Sequence, residues 1–173
     1  ELDQVIVGSV DLASDLRAVK GHIEYHQHTN VADGATAFIL KRYEEALRDG
    51  DKIYSIIKGF GAASAGGCDD KKHNLAAQVE SIQNACIDAR CHLDDIDHIT
   101  LASEAGYLAD IPIFKNVSIN EFPLGHSGAA TGLFAVSSAV SSLRYRLLPT
   151  AQDSQVHYWL KDRIKGTRKN LVN

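Results

Sequence analysis

The sequence predicts a layered α/β fold in which helices cover a sheet of mixed pairing. Short β-branched runs alternate with helix-length amphipathic segments, and glycine-rich or acidic turns separate them. The order of strand, helix, strand, loop and helix is typical of layered α/β domains. At 173 residues, of which 45% are hydrophobic, the chain is long enough to bury one core.

The first third of the chain supplies most of the predicted strands. A Val-Ile-Val run between polar residues and glycine favours a buried strand over Asp3–Gly8. A short helix is expected over Leu12–Lys20. Two more apolar runs, Ala35–Lys41 and Lys52–Gly59, flank the helical segment Arg42–Arg48. We expect these two runs to form neighbouring strands with the helix on one face of the sheet.

The middle of the chain predicts a long amphipathic helix followed by a strand. Asn74 is a suitable N-cap for a helix that runs to about Arg90. The segment LDDID at 93–97 predicts a turn, and HITLA at 98–102 predicts a strand. The apolar stripe of the helix consists of Leu75, Val79, Ile82, Cys86 and Ala89.

The stretch Lys115–Leu143 is the best candidate for a chemical centre. A β-branched run leads through a turn with Pro123 and Gly125 into a small-residue helix, and His126 stands at its start. A helix amino terminus disfavours histidine protonation, and a neutral imidazole can donate a hydrogen bond to an oxyanion. Gly128, Ala129, Ala130 and Gly132 allow close backbone approach, and the apolar stripe consists of Leu133, Val136, Val140 and Leu143.

Composition excludes several classes of function. A formal net charge of -4 gives no support for binding to nucleic acid or to a membrane surface. No run reaches the roughly 18 apolar residues that a membrane span needs, and the amino terminus does not resemble a signal peptide. Cys68, Cys86 and Cys91 match neither a disulfide framework nor a zinc site, which favours reduced thiols in the cytoplasm. The absence of methionine and the early strand lead us to expect a piece of a longer protein.

Four collinear stretches resemble the β-ketoacyl synthase (condensing enzyme) family of the thiolase superfamily. The most specific is DGATAFILKRYEEALRDGDKIYSIIKG at 33–59. The others are DQVIVGSVDL at 3–12, the segment Leu75–Ala102, and Gly125-His126 followed by GAATGL. The resemblance implies a thiolase-like fold, with the end of its first half and most of its second half present between about Asp3 and Pro149. Residues 150–173 are expected to form a packed C-terminal arm.

The resemblance also identifies catalytic positions that this chain has lost. Such enzymes condense acyl chains by decarboxylation, using a cysteine nucleophile and two histidines. The nucleophile would precede Glu1, and Ala102 replaces the first histidine. Glu121 and Pro123 stand where the family has a lysine and an asparagine, which leaves His126 as the one matching catalytic residue.

Three functions follow as hypotheses. The leading one is a degenerate ketosynthase-like domain of a polyketide, fatty acid or polyunsaturated fatty acid synthase, similar to chain-length factors. It would be non-catalytic by itself, pair with an active ketosynthase, and shape the acyl tunnel or dock a carrier protein. The alternatives are the second half of an active 3-oxoacyl-carrier-protein synthase that uses His126, and a structural self-association module.

The resemblance also fixes the expected partners and cofactors. No cofactor is expected, because acyl chains would arrive on the phosphopantetheine of an acyl carrier protein. The expected partner is another ketosynthase-type subunit or the missing amino-terminal half, in a homodimer or heterodimer. The basic segment Lys161–Lys169 is a candidate docking surface for an acidic carrier protein, although a solvated face is the default interpretation.

Other polar clusters have simpler interpretations. His22 and His26 are spaced like metal ligands, with His28 nearby, yet a solvated polar loop explains HIEYHQHTN at 22–30 better. Glu104 has no partner motif and is expected to be a turn carboxylate. The Gly66-Gly67 pair lacks the flanking pattern of a phosphate-binding loop.

Overall fold

The computed structural model describes residues 2–12, 14–17, 19–21, 31–66, 71–102, 108, 110–115, 117–121, 127–148 and 157–158. The chain divides into two compact units. The first unit consists of Glu1–Ser55, Thr100–Ser103 and Glu121–Asn173, and the second of Ile56–Ile99 and Glu104–Asn120.

A β-hairpin forms the sheet of the first unit. Strand β1 (Gln4–Leu12) pairs antiparallel with strand β2 (Asp33–Lys41), in a register that runs from Gln4 opposite Lys41 to Leu12 opposite Asp33. The strands predicted at Asp3–Gly8 and Ala35–Lys41 are confirmed, and β1 is longer than expected. The burial predicted for the first strand is wrong, because Val5 and Ile6 are 41% and 75% exposed. The helix predicted over Leu12–Lys20 is shorter than expected because pairing with β2 keeps β1 extended through Leu12; residues 16, 17 and 19–21 are helical.

A short helix and a salt-bridged turn follow the hairpin. Helix α1 (Tyr43–Asp49) confirms the helix predicted at Arg42–Arg48, and it ends at Gly50, whose φ of 71° is left-handed. The ammonium of Lys41 lies 2.6 Å from a carboxylate oxygen of Asp49 and 2.6 Å from one of Asp51. These contacts join the end of β2 to the turn after α1.

The strand predicted at Lys52–Gly59 is wrong. The structure assigns no strand there, and the neighbour of β2 is β1 rather than this segment. Just after this run, the Phe60 N–H donates to the Asp88 carboxylate at 2.8 Å, and the Asn84 amide donates to the Ala62 carbonyl at 3.1 Å. An apolar run without a strand at hydrogen-bonding distance forms no ladder, whatever its β propensity.

Helix α2 (Lys71–Asp88) is the longest element of the second unit. It begins before Asn74, so the predicted N-cap is wrong. The predicted apolar stripe is confirmed, because its five residues are all buried or half-buried. Gly59 and Gly61 lie against the helix backbone: a Cβ on Gly59 would come within 2.5 Å of the Ala85 carbonyl oxygen. This close approach fixes the segment beside α2.

Short elements follow helix α2 in the chain. The predicted turn at 93–97 contains a 3-10 turn, Leu93–Asp95, closed by a capping box between His92 and Asp95. Strand β3 (His98–Leu101) confirms the predicted strand and pairs with β4 (Ser118–Glu121). Of the second unit's described side chains, Phe114 and Leu108 are the most completely buried, each 1% exposed.

Helix α3 (Thr131–Tyr145) belongs to the first unit and confirms the predicted small-residue helix. Its buried residues are Thr131, Ala135 and Ser142, whereas Val136, from the predicted apolar stripe, is 45% exposed. The other residues of that stripe, Leu133, Val140 and Leu143, are half-buried, so the predicted core face is confirmed except at Val136. Small side chains form the buried face because the helix approaches its neighbours closely.

The carboxyl-terminal arm is largely outside the described residues. Strand β5 (Leu147–Leu148) pairs antiparallel with β6 (His157–Tyr158). The packed arm predicted at 150–173, and within it the basic segment Lys161–Lys169, otherwise falls on residues that the structure does not describe. No helix within the described part of the chain is both long and apolar enough to span a membrane.

The two faces of the hairpin differ in their surroundings. One face meets helix α3, because a Cβ on Gly34 would collide with the Phe134 ring. The opposite face carries large apolar side chains that are 68% to 75% exposed: Ile6, Val10, Leu12 and Ile39. A two-stranded sheet that is apolar on both faces suits the interior of a layered fold.

Candidate functional site at the amino end of helix α3

The chain immediately after His126 forms a closed, buried turn. Ser127 is 1% exposed, and its N–H donates to the Thr131 hydroxyl oxygen at 2.8 Å. That hydroxyl in turn donates to the Gly128 carbonyl at 3.0 Å. A 3-10 turn, Gly128–Ala130, leads from Ser127 into α3. Thr131 therefore satisfies backbone groups that a helix start would otherwise leave without partners.

Asp11 supplies the acceptor for this helix start from the end of strand β1. Its carboxylate accepts a hydrogen bond from the Ala129 N–H at 2.8 Å. The same carboxylate packs against Gly128, whose φ of 48° is left-handed. A side chain at Gly128 would be strained by this φ and would collide with Asp11. An anion at a helix amino terminus is also favoured by the helix dipole.

The start of strand β2 is fixed beside this turn. The Ser14 N–H donates to one Asp33 carboxylate oxygen at 2.7 Å, and the Ser14 hydroxyl donates to the other. These hydrogen bonds lower the pKa of Asp33, the hydroxyl having the larger effect and the N–H the smaller. The next residue, Gly34, packs on the Phe134 ring of α3. The end of β1 thus contacts the turn before α3 through Asp11. The start of β2 contacts the adjacent loop through Asp33 and helix α3 through Gly34.

The structure places a few of the predicted catalytic positions. His126 and Pro123 fall outside the described residues, so the role predicted for His126 stays a prediction. Ala102 is exposed and directly follows strand β3. Glu121 is the last residue of strand β4. The other sequence candidates, Cys68, His22, His26, His28, Glu104 and Gly67, also fall outside the described residues.

Cys86 is poorly suited to act as the acyl-accepting nucleophile. Cys86 is buried on the apolar stripe of α2, as expected. Burial, followed by the neighbouring Cys91, raises the pKa of the Cys86 thiol, which disfavours the thiolate that acyl transfer requires. Among the described residues, no three His, Cys, Asp or Glu side chains come together in a way that could hold a metal ion.

Asp11 and Thr131 were missed in the sequence. Asp11 resembles an ordinary polar residue at a strand end, and Thr131 a helix residue in a small-residue run. The hydrogen-bond partner of Asp11, Ala129, lies far away in the chain. The hydrogen bonds of Thr131 depend on the helix beginning at residue 131 rather than at His126. The one local signal is the glycine at 128, which indicates a special backbone conformation at this turn.

Comparison with curated proteins finds large synthases. The chain is 28% identical over 170 residues to the hybrid PKS-NRPS synthetase TAS1 of Gloeophyllum trabeum, covering 84% of this chain and 11% of the relative. It is 30% identical over 144 residues to a PKS-NRPS hybrid synthetase of Aspergillus candidus, covering 71% and 6%. It is 21% identical over 155 residues to a polyunsaturated fatty acid synthase of a Thraustochytrium species, covering 76% and 5%. The chain thus spans about a tenth or less of these relatives. No protein-family model matches it.

Comparison with solved structures finds ketosynthases. A ketosynthase of the bacillaene synthase from Bacillus subtilis 168 superposes with a TM-score of 0.71 at 20% identity, covering 85% of this chain and 32% of that one. The ishigamide ketosynthase/chain length factor gives 0.73 at 17% identity, covering 87% and 43%. A complex of a type II polyketide synthase acyl-carrier protein with its ketosynthase gives 0.72 at 16% identity, covering 86% and 45%.

These structural similarities define the fold class of the protein: the chain has part of the thiolase-like fold of ketosynthases. Together with the polyketide synthases among its relatives, they show that the chain is a partial ketosynthase-like domain. The family resemblance and the fold class expected from the sequence are both confirmed.

Proposed function

We propose that this chain serves as a ketosynthase-like partner domain of a polyketide or polyunsaturated fatty acid synthase and is non-catalytic by itself. The observation that carries the proposal is Ala102, which directly follows strand β3 and is exposed. On the family resemblance, this position belongs to the first catalytic histidine. A methyl group cannot donate a hydrogen bond to a developing oxyanion, so the electrostatic stabilisation that condensation needs is missing there.

The thiols support the same proposal. Cys86 is buried in the helix stripe, and its raised pKa disfavours the thiolate form. Condensation begins with attack by a thiolate on an incoming acyl thioester, and a buried thiol with a raised pKa is poorly suited to that step. The proposed domain works in the cytoplasm, with acyl chains delivered on the phosphopantetheine of a carrier protein and with no cofactor of its own.

The exposed hairpin face supports a role in pairing. Ile6, Val10 and Ile39 are 75%, 68% and 70% exposed, and they stand on one face of a well-registered hairpin. Covering such side chains contributes roughly 1.5–3 kcal/mol each when burial is complete. The proposed occupant is a helix layer from a second ketosynthase-type chain or from the remainder of the same domain, which this chain spans only in part. The partnership then shapes an acyl tunnel or docks a carrier protein.

A decarboxylation assay tests the proposal. The purified chain is incubated with malonyl thioester on an acyl carrier protein, and release of carbon dioxide is measured. We expect no turnover above the rate without enzyme. An active ketosynthase assayed in the same mixture shows that the substrate is competent. Robust turnover by the isolated chain would overturn the non-catalytic assignment.

One observation favours a second candidate function, the latter half of an active 3-oxoacyl-carrier-protein synthase. The turn that follows His126 is held by Ser127, Thr131 and Asp11, as a turn that positions a reactive side chain requires. The test is to co-express the chain with its upstream segment and to add a cerulenin-type acylating inhibitor. A labelled upstream cysteine, together with condensation that His126→Ala abolishes, supports this candidate. The absence of a labelled cysteine contradicts it.

A further inference from the structure

Helix α2 ends in a motif that brings two cysteines together. Arg90 is left-handed, with φ of 53°, and its N–H donates to the Ile87 carbonyl at 3.1 Å. The N–H of Cys91 donates to the Cys86 carbonyl at 3.0 Å. This pair of hydrogen bonds defines the Schellman motif, in which the two residues joined by the longer-range bond place their side chains against each other.

In most Schellman motifs this side-chain contact is hydrophobic, but here both residues are cysteines. The thiols of Cys86 and Cys91 are both free, and Cys91 is close enough to contribute to the raised pKa of the Cys86 thiol. Cys86 is 8% exposed, whereas Cys91 is more accessible. The 3.0 Å backbone bond also holds the two α-carbons close together. A disulfide needs a Cα separation of about 4.4–6.8 Å, so no large backbone movement is required.

We propose that Cys86 and Cys91 form a reversible disulfide and that this pair is a modification site for small disulfide oxidants such as oxidised glutathione. The proposal is independent of the proposed function, since both residues lie at the end of α2 and away from the turn after His126 in the chain.

The exchange proceeds in two steps. The more exposed Cys91, as thiolate, attacks one sulfur of oxidised glutathione, which breaks the glutathione S–S bond and releases one glutathione thiolate. The Cys86 thiolate then attacks the Cys91 sulfur, closes the Cys86–Cys91 bond and releases the second glutathione. Two protein thiols are oxidised and one glutathione disulfide is reduced to two thiols, and the two protons that the protein thiols lose end, by way of solvent, on the two released glutathione thiolates. Burial of Cys86 makes it a slow first nucleophile, but its proximity makes it an efficient second one.

The sequence offers a direct test, because trypsin cleaves after Arg90, between the two cysteines. The full chain is equilibrated with oxidised glutathione, its remaining thiols are blocked, and the tryptic peptides are analysed by mass spectrometry with and without reductant. We expect the peptides that contain Cys86 and Cys91 to stay linked until reductant is added. Peptides linked through Cys68, a disulfide between two chains, or unreacted thiols at Cys86 and Cys91 would overturn the proposal.

Variants separate the proposed disulfide from simple modification of one thiol. In Cys68→Ser, we expect the two remaining thiols to be lost together and the mass to fall by two hydrogen atoms. In Cys68→Ser combined with Cys86→Ser, we expect Cys91 to retain glutathione as a stable mixed disulfide. A stable mixed disulfide on Cys91 while Cys86 is still present would contradict the proposal. The tryptic test on the unmodified sequence remains decisive if either variant folds poorly.

Discussion

Single residues determine how helix α3 begins. Asp11 reaches the Ala129 N–H from the end of strand β1, and Thr131 closes the turn through Ser127 and Gly128. Each contact replaces water at a backbone group that the helix start would otherwise leave without a partner. Because Asp11 and Ala129 lie on different elements, one hydrogen bond serves both as a helix cap and as a tertiary contact.

Asp11→Ala is expected to destabilise the protein. Removing the side chain that accepts a hydrogen bond at the amino terminus of a helix lowers the free energy of unfolding by about 0.5–2 kcal/mol, typically near 1 kcal/mol. Chemical denaturation, followed by circular dichroism, measures the free energy of unfolding. Asp110→Ala is the matched control, because Asp110 is an exposed aspartate. Equal losses in the two variants would show that the Asp11 contact contributes nothing specific.

Acid is expected to weaken the turn after α1. The Arg48 guanidinium, and then the Lys41 ammonium, hold the pKa of Asp49 at about 2, below its ordinary value of 3.8. The folded state therefore binds this proton less readily than the unfolded state does. The ionised Asp49 therefore contributes its full stabilisation of the folded state above the pKa that Asp49 has in the unfolded state. This stabilisation is lost as pH falls from about 4 towards 2.

Carboxyl NMR titration checks this pH dependence. We expect the Asp49 resonance to titrate below the ordinary aspartate value of 3.8, and we expect Lys41→Gln to move it back towards that value. An unchanged Asp49 midpoint in Lys41→Gln would show that the 2.6 Å contact with Lys41 has no effect on ionisation.

At the scale of elements, small residues stand where a strand or segment lies close against a helix. Gly34 of β2 packs on the Phe134 ring of α3, and Gly59 and Gly61 pack on the backbone of α2. Glycine at such contacts allows strands and segments to lie closer to a helix than any side chain would permit. The same requirement explains why the buried face of α3 consists of small residues such as Ala135.

Gly34→Ala and Gly132→Ala are expected to have opposite effects on stability. A Cβ on Gly34 would lie 2.8 Å from a Phe134 ring atom, so the ring or the strand must move, at a cost of about 1–3 kcal/mol. A Cβ on Gly132 would meet nothing within 4 Å, and alanine in a helix is favoured over glycine by up to about 1 kcal/mol. Thermal unfolding of both variants checks the pair, and a stable Gly34→Ala would contradict the close approach.

Elements with strong periodicity could be predicted from the sequence, and elements that depend on distant partners could not. Local residue patterns predict the apolar stripe of α2 and the strands β1, β2 and β3. The structure keeps these elements where the patterns predict them. The run at Lys52–Gly59 has equal β propensity, but the Asp88 and Asn84 side chains of α2 bond the backbone just after it. Likewise, nothing local to Asp11 indicates its bond to Ala129, which joins residues far apart in sequence.

The candidate site could be predicted in part. The glycine-rich turn and its helix were identifiable from residue types, and the family resemblance directed attention to Ala102 and His126. The capping residues Asp11 and Thr131 could not be found, because their roles depend on where the helix starts and which strand end approaches it. The role of His126 stays a prediction.

At the scale of the whole molecule, the open hairpin face predicts association. Ile6 and Ile39 are opposite each other in the β1–β2 register, and both are at least 70% exposed. Monomeric proteins rarely leave extended apolar patches uncovered. The chain alone is therefore expected to self-associate through this face.

Substitution at this face is expected to lower the apparent mass. In Ile6→Lys combined with Ile39→Glu, charged side chains replace the apolar pair while retaining a favourable cross-strand contact. Size-exclusion chromatography with light scattering measures mass over a range of concentrations. Ile87→Glu is the control, because Ile87 is 74% exposed on α2, outside the hairpin. A monomeric unsubstituted chain, or equal effects of both changes, would contradict a role for the hairpin in association.

The Asp11 carboxylate also affects how the amino end of helix α3 interacts with anions in solution. Helix amino termini commonly bind phosphate or sulfate through their free N–H groups. At α3 the Ala129 N–H already has a counter-ion that is part of the chain, and its local concentration does not depend on the buffer. Inorganic phosphate, or the phosphate of a carrier arm, would have to displace a tethered negative charge at this end of the helix. The Asp11 carboxylate therefore disfavours binding of a soluble anion at the Ala129 N–H.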